Sequence, residues 1–291
     1  AANWAFFPAF PYIAKLIHII SNITPKMSLV ITGKLFFFLS IITFIKFGIS
    51  YYPKLNPVLL GGLVVFNPYS IYGNAGYAEP LFFCLSCIFF LYLRQEKFIT
   101  AGVVAGILSS VRLVGSVAGF VYVVYVFLKF INNYKNDYIK IILGFLLTPI
   151  GIACFMVFLY HHTGDALAFS HIQRAWGRIP QNPLLVIAQG INGSLLNQYW
   201  TMLSLLSLGC AVFLFIKKQY ELAVFSLIGT LLPLSTGLAS MPRYIFWQAP
   251  ILLSMALLIS RGKIWIIVFP ALITGLVFMY FAWFTGKGFV V

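Results

Sequence analysis

Ile264-Trp265-Ile266-Ile267-Val268-Phe269-Pro270-Ala271-Leu272-Ile273-Thr274-Gly275-Leu276-Val277-Phe278-Met279-Tyr280-Phe281-Ala282-Trp283 runs without a single charge. A helix needs roughly 20 such residues to cross the hydrocarbon core of a bilayer. The apolar residues are continuous rather than alternating, which predicts helix and not half-buried strand. In lipid every backbone polar group must be satisfied internally, and a helix does this alone. The same reading applied along the chain predicts spans near 27–49, 56–72, 76–93, 98–113, 114–131, 139–160, 196–216, 222–238, 244–260 and 263–283. The expected fold is therefore an all-α, polytopic bundle of about ten spans, forming one integral-membrane domain over residues 1–291. The stretches near 56–72, 98–113 and 222–238 are short, and are expected to be tilted, re-entrant or broken. No internal repeat or low-complexity tract divides the chain.

Composition agrees. Apolar residues make up 62% of the chain and charged residues 8%, and the mean hydropathy is +0.98. An ordinary soluble domain is excluded. The net charge of +14 does not indicate nucleic acid, because the basic residues punctuate apolar helices and form no continuous patch. The positive-inside rule accounts for them. With 50–55, 94–97, 129–140, 217–221 and 261–263 taken as cytoplasmic, ten basic residues lie inside: Lys54, Arg94, Lys97, Lys129, Lys135, Lys140, Lys217, Lys218, Arg261 and Lys263. Seven lie outside, on longer segments: Lys15, Lys26, Arg112, Arg174, Arg178, Arg243 and Lys287.

The five acids are sorted as well. Glu96, Asp137 and Glu221 fall in the short basic turns, and Glu79 and Asp165 on the opposite side. A transporter is expected to place rare charges in mid-membrane, whereas a membrane enzyme gathers them at one face. Cys84 and Cys87 form a CxxC inside an apolar stretch, and read as packing residues rather than ligands. The opening residues show no signal peptide. They read as the middle of an extramembrane loop, and further residues are expected upstream.

Five elements meet on the outer side in this topology. The first is Phe6-Phe7-Pro8-Ala9-Phe10-Pro11, followed by an amphipathic stretch suited to a membrane interface. The second is the interruption at 67–79, with Asn67, Tyr77 and Glu79. An acid at the start of a span is costly unless hydrated, paired or functional. Glu79 is thus a candidate for hydrogen-bonding sugar hydroxyls or for general base. The third and fifth are Arg112 and Met241-Pro242-Arg243-Tyr244, whose guanidiniums suit a phosphate. The bland alternative for each is an Arg reaching the headgroups.

The fourth element is His161 through Arg178, the start of a long polar loop. His161 and His171 lie ten apart with no Cys and one nearby acid, so no metal site is expected. Asp165, His171, Gln173 and Trp176 suit a sugar instead: planar polar groups for hydroxyls and an indole for a ring face. An interfacial loop with a Trp anchor is the alternative. Asn22-Ile23-Thr24 and Asn192-Gly193-Ser194 match glycosylation sequons. No Gly-rich nucleotide loop is visible.

In this order the elements resemble the GPI mannosyltransferase 2 (PIG-V type) family and its bacterial relatives, multi-spanning glycosyltransferases of the GT-C class. Asn3-Trp4-Ala5-Phe6-Phe7-Pro8-Ala9-Phe10-Pro11 is similar to the family's Phe-Phe-Pro-x-x-Pro segment. Phe66-Asn67-Pro68 with Tyr77-Ala78-Glu79 resembles its Asn-Pro…Tyr-(Ser/Thr)-Glu-Ser stretch. Arg112 and Gly115 match its Arg-x-x-Gly. Gly164-Asp165-Ala166-Leu167-Ala168-Phe169 with His171, Gln173, Trp176 and Gly177, and Met241-Pro242-Arg243-Tyr244, resemble the bacterial branch.

The resemblance implies transfer of mannose from a polyprenyl-phosphate-mannose donor to a lipid-linked or surface glycan acceptor. The site would face away from the cytoplasm, in a bacterial plasma membrane or in the lumen of the endoplasmic reticulum, and no metal or other cofactor is expected. Phe6, Phe7, Pro8, Asn67, Tyr77, Arg112, His171, Gln173, Trp176, Arg178, Arg243 and Tyr244 would contact substrate, with Glu79 and Asp165 as catalytic candidates. There are departures: Ala78 and Pro80 replace the family's small hydroxyl residues. The family's base is an Asp in an acidic loop before the Phe-Phe-Pro segment, and this chain begins after that point. A glycolipid carrier, or a non-catalytic subunit of a transferase complex, fits the same features.

Overall fold

The computed structural model describes residues 4–131 and 138–286. Asp137, Lys135 and Lys287 lie outside them, as does Asn3 at the head of the first motif. Among the described residues every regular element is helical. In chain order these are α1 (Ala9–Ser21), α2 (Pro25–Tyr51), α3 (Pro57–Phe66), α4 (Glu79–Arg94), α5 (Phe98–Ser109), α6 (Val117–Ile131), α7 (Tyr138–Leu147) and α8 (Ile150–Thr163). There follow α9 (Ala168–His171), α10 (Pro183–Ile191), α11 (Leu195–Ile216), α12 (Tyr220–Leu234), α13 (Met241–Phe246), α14 (Ala249–Ile259) and α15 (Trp265–Phe284). Three 3₁₀ turns, Pro68–Gly73, Leu113–Ser116 and Ile172–Trp176, fall between them.

Among the described residues, five helical stretches are long and apolar enough to cross a membrane: Pro25–Tyr51, Leu113–Ile131, Tyr138–Thr163, Leu195–Ile216 and Trp265–Phe284. The ten spans expected from the sequence are thus not all of crossing length. Pro57–Phe66 has 10 residues, Phe98–Ser109 has 12 and Ala249–Ile259 has 11. At 1.5 Å per residue these are only about 15–18 Å long. The reason is local. Asn67 ends α3, and its side chain accepts from Tyr69 N at 2.9 Å to open the next turn. Pro68 is the first residue of that turn, where its missing N–H costs nothing. The same Asn-Pro device starts α3 at Asn56 and α10 at Asn182. The stretch expected at 244–260 breaks between α13 and α14, where Trp247 Nε1 donates to Tyr69 O at 3.0 Å.

One apolar core runs through the bundle, filled by Phe44, Phe47, Phe83, Phe89, Phe90, Phe225 and Trp247, all buried. Large apolar residues also cover the outside, including Phe38, Phe120, Phe127, Leu146, Val277 and Phe281. A surface of this kind suits lipid rather than water. α5 and α7–α8 touch through their backbones. A Cβ on Gly102 would stand 2.0 Å from Gly144 O, and one on Gly151 2.0 Å from Gly106 O. Small residues let membrane helices approach this closely, which maximises dispersion contacts where no hydrophobic effect operates between helices. This packing fixes the end of α5, and with it the loop that carries Arg112.

Candidate functional site

Glu79 is the first residue of α4 and only 1% exposed. Two guanidiniums converge on one of its oxygens. Arg112 donates to Oε1 from a terminal nitrogen at 2.7 Å. Arg243 brings Nε to 2.7 Å from the same Oε1. That second contact is an ion pair rather than an aligned hydrogen bond, since Nε has no partner of hydrogen-bonding geometry.

Each arginine comes from a distinct device. Arg112 is held extended between the end of α5 and the 3₁₀ turn Leu113–Ser116. Gly115 folds this loop back: its N–H donates to Arg112 O at 2.8 Å, and a Cβ there would lie 2.0 Å from Leu108 O. The Arg-x-x-Gly spacing therefore has a steric reason. Arg243 is the third residue of α13, after Pro242.

Aromatic rings complete the shell. The Arg112 guanidinium carbon lies 4.6 Å from the Tyr244 ring centroid and 5.9 Å from that of Phe82. That of Arg243 lies 5.1 Å from Tyr72, 5.2 Å from Tyr77 and 5.9 Å from Tyr244. Arg178 donates to the Tyr244 hydroxyl at 3.2 Å. Ring faces attract cations most strongly where water is excluded. Arg112 and Arg243 are 13% and 18% exposed at their side chains, against 2% for Glu79. Two guanidiniums thus meet one buried carboxylate, with a third, Arg178, on the Tyr244 hydroxyl, leaving a covered surplus of positive charge. Of these residues, the sequence reading had not singled out Tyr72 or Phe82. Aromatic side chains are too frequent in this chain for either to stand out.

The other elements singled out from the sequence join this cluster. Phe7 packs on Phe155 and Phe169, with centroids 5.0 and 5.3 Å apart. Ala9 N donates to Ser110 O at 3.1 Å, two residues before Arg112. Pro8 and Ala9 line a cleft of ≈ 390 Å³ with Tyr12, Ser110, Gly151, Cys154, Phe155 and Phe158. Phe6 is 60% exposed. The aromatic-proline segment, the Arg112 loop, Glu79, the 161–178 segment and the Arg243 helix therefore form one connected region.

Asp165 Oδ2 lies 2.7 Å from His171 Nδ1, and Asp165 Oδ1 accepts from Leu167 N at 2.9 Å. Hydrogen bonds from His171 and from the Leu167 amide hold the Asp165 carboxyl below its usual range. Gln173 Nε2 reaches Phe169 O at a long 3.4 Å, while its Oε1 is buried without a partner. The backbone of Trp176 ends the 3₁₀ turn Ile172–Trp176, and its side chain lies outside the described residues.

Asn67 does not face the cluster as a free polar group. It is 1% exposed, donates to Val64 O at 3.0 Å and caps the next turn, so its amide is spent on backbone. Its contribution is to hold the turn bearing Tyr72. No group of three or more His, Cys, Asp or Glu suited to a metal occurs among the described residues.

Compared with known proteins, the chain matches no family model, no curated protein and no solved structure.

Proposed function

We propose that this protein is a membrane glycosyltransferase of the GT-C kind. It would transfer mannose from a polyprenyl-phosphate-mannose donor to a lipid-linked or surface glycan acceptor, at the face that carries Glu79. The observation that carries the reading is the convergence of Arg112 and Arg243 on Glu79, with Arg178 reached through Tyr244. In a covered site a surplus of guanidinium favours an anion, and a phosphate leaving group gains negative charge as the glycosidic bond breaks. Glu79 then acts as an anchor. Buried, with Oε1 shared by two cations, it aligns the arginines rather than accepting a proton from the acceptor. The cleft beside Ser110 adjoins the Arg112 loop, where the donor's apolar tail would lie.

The direct test is transfer of labelled mannose from polyprenyl-phosphate-mannose in membrane vesicles. Arg112→Ala leaves Glu79 paired with Arg243, so the fold is expected to persist. Transfer should fall roughly 10²–10³-fold, as when one preorganised donor to a developing anion is removed. Full activity in this variant would sink the phosphate assignment. A second reading, a glycolipid carrier, draws on the breaks between α3 and the Pro68 turn and between α13 and α14. Interrupted helices of this sort line binding sites in carriers. Movement of the labelled lipid across vesicles without transfer of label would favour it.

A further inference from the structure

Among the described residues α2 is the longest helix, and its two faces differ. Thr32, Gly33, Ser40, Phe44 and Phe47 are buried in the bundle. On the opposite face Ile31, Lys34, Phe38, Ile42 and Lys46 recur at steps of three or four, and all are exposed. Two ammoniums thus stand on an apolar stripe of a helix of crossing length. Neither has an ion-pair partner among the described residues. A charge held in hydrocarbon is costly, and a lysine escapes by stretching along the helix to the headgroups.

The spacing decides where those headgroups lie. Lys34 and Lys46 are 12 residues apart, which is about 18 Å along the axis. Each side chain adds about 6 Å of reach. Together they span about 30 Å, the thickness of a typical hydrocarbon core. One register of α2 therefore frees both ammoniums, with hydrocarbon over roughly residues 30–50. Sliding the helix by one turn in either direction sinks one of the lysines by about 5 Å.

We propose that the exposed face of α2 is a lipid-anchoring surface, on which Lys34 and Lys46 each hold a phospholipid phosphate, one in each leaflet. The occupant is lipid and not a partner helix, because the stripe between the lysines is bulky. Phe38 is 61% exposed there. Membrane helices that pack on one another use small residues at the contact, as α5 and α7 do with Gly102 and Gly144. Such a surface serves a transferase and a carrier alike, so it stands whichever of them Arg112 and Arg243 belong to.

Both ends of α2 agree with this register. Tyr51 and Tyr52 fall at one boundary, and the Arg94 guanidinium lies 4.5 Å from the Tyr51 ring centroid. Tyrosine rings collect at such boundaries. At the other end Pro25 stands about 7 Å beyond the core, which is the depth of the headgroup layer. There α2 meets α1, where Leu16, Ile19 and Ile20 are exposed beside Lys15. That is the composition of a helix lying in the interface.

The test uses full-length protein in phosphatidylcholine bilayers of short, medium and long acyl chains, read by thermal unfolding. Wild type should be most stable where the core is about 30 Å thick. The double variant of Lys34→Leu and Lys46→Leu should move that optimum to longer chains, because its apolar stripe then runs the whole helix. An unmoved optimum overturns the proposal. In digalactosyl lipid of the same chains, which has no phosphate, wild type should behave as the double variant does. A wild-type optimum that stays put there overturns the phosphate contact. Spin labels on Ile31→Cys, Phe38→Cys and Ile42→Cys read the register. They are placed in a Cys154→Ser background, since the other three cysteines of this sequence are buried. Labels at 38 and 42 should be equally deep, mobile and open to oxygen, with 31 near a boundary. A deepest point more than a turn from residue 40 overturns the register. Labels immobilised and shielded from oxygen reveal a partner helix in place of lipid and overturn the surface itself.

Discussion

The two ends of α4 carry opposite solutions to the same problem of charge in an apolar bundle. At its start, Glu79 is buried, and two arginines converge on one of its oxygens. At its finish, the acids are handled singly. Glu96, just past the helix, meets Lys129 at 2.7 Å, with both side chains about a third exposed at 33% and 34%. Glu221 accepts from Tyr51 at 3.1 Å, and Arg94 lies 4.5 Å over the Tyr51 ring. Both ends are basic, but only the first gathers its positive charge under cover. Exposed cations are screened by water and salt, whereas covered ones retain a field that a ligand can use. Under the proposed function, the Glu79 end is where an anion would be met, and the other is a set of fastenings between helices.

The largest break in this comparison should come from Glu79→Ala. It leaves two covered guanidiniums without their counter-charge, at a cost of roughly 3–5 kcal/mol. Thermal unfolding in detergent should drop accordingly, and little folded protein should accumulate. A melting curve like that of wild type would show that water, not Glu79, satisfies the arginines. Glu221→Gln at the far end keeps an acceptor for Tyr51 and removes only a charge. It should change stability by about 1 kcal/mol or less and leave label transfer intact. A loss of transfer there would mean that the two ends are coupled. The smallest effect belongs to Lys129→Ala. An ion pair as exposed as Glu96–Lys129 is typically worth about 0.2–1 kcal/mol, and its loss should fall further in high salt.

Much of this was legible in the chain. Continuous apolar runs predicted helices because lipid offers the backbone no other partner, and each predicted span coincides with a helix or a broken pair of helices. The expectation that Phe7, Glu79, Arg112, Asp165 and Arg243 share one region came from counting alternations over ten spans, whereas five helical stretches among the described residues are of crossing length. Helix length was less legible. Hydropathy does not register an Asn-Pro cap: 56–72 is expected to be tilted, re-entrant or broken without a choice among these, and Asn67 breaks it in two. Asn67 itself read as a ligand, although its amide is consumed by Val64 O and Tyr69 N. Partnership was least legible of all. Arg112 and Arg243 are 131 residues apart, and nothing local indicates that they share a single oxygen.

The length of α4 has a consequence for depth. Its 16 residues rise about 22 Å from Glu79 to Arg94, and any tilt shortens the vertical distance further. A typical hydrocarbon layer is about 30 Å thick. With Arg94 level with one boundary, Glu79 and its arginines would lie about 8 Å beneath the other. A bilayer meets such a mismatch by thinning locally, and a protein meets it by admitting a funnel of water. In either case a phosphate on a lipid would be drawn down toward the arginines from the headgroup layer. A water-soluble partner would have to send a narrow, extended end into the depression, which would make the depression a filter on what can react in the proposed transfer.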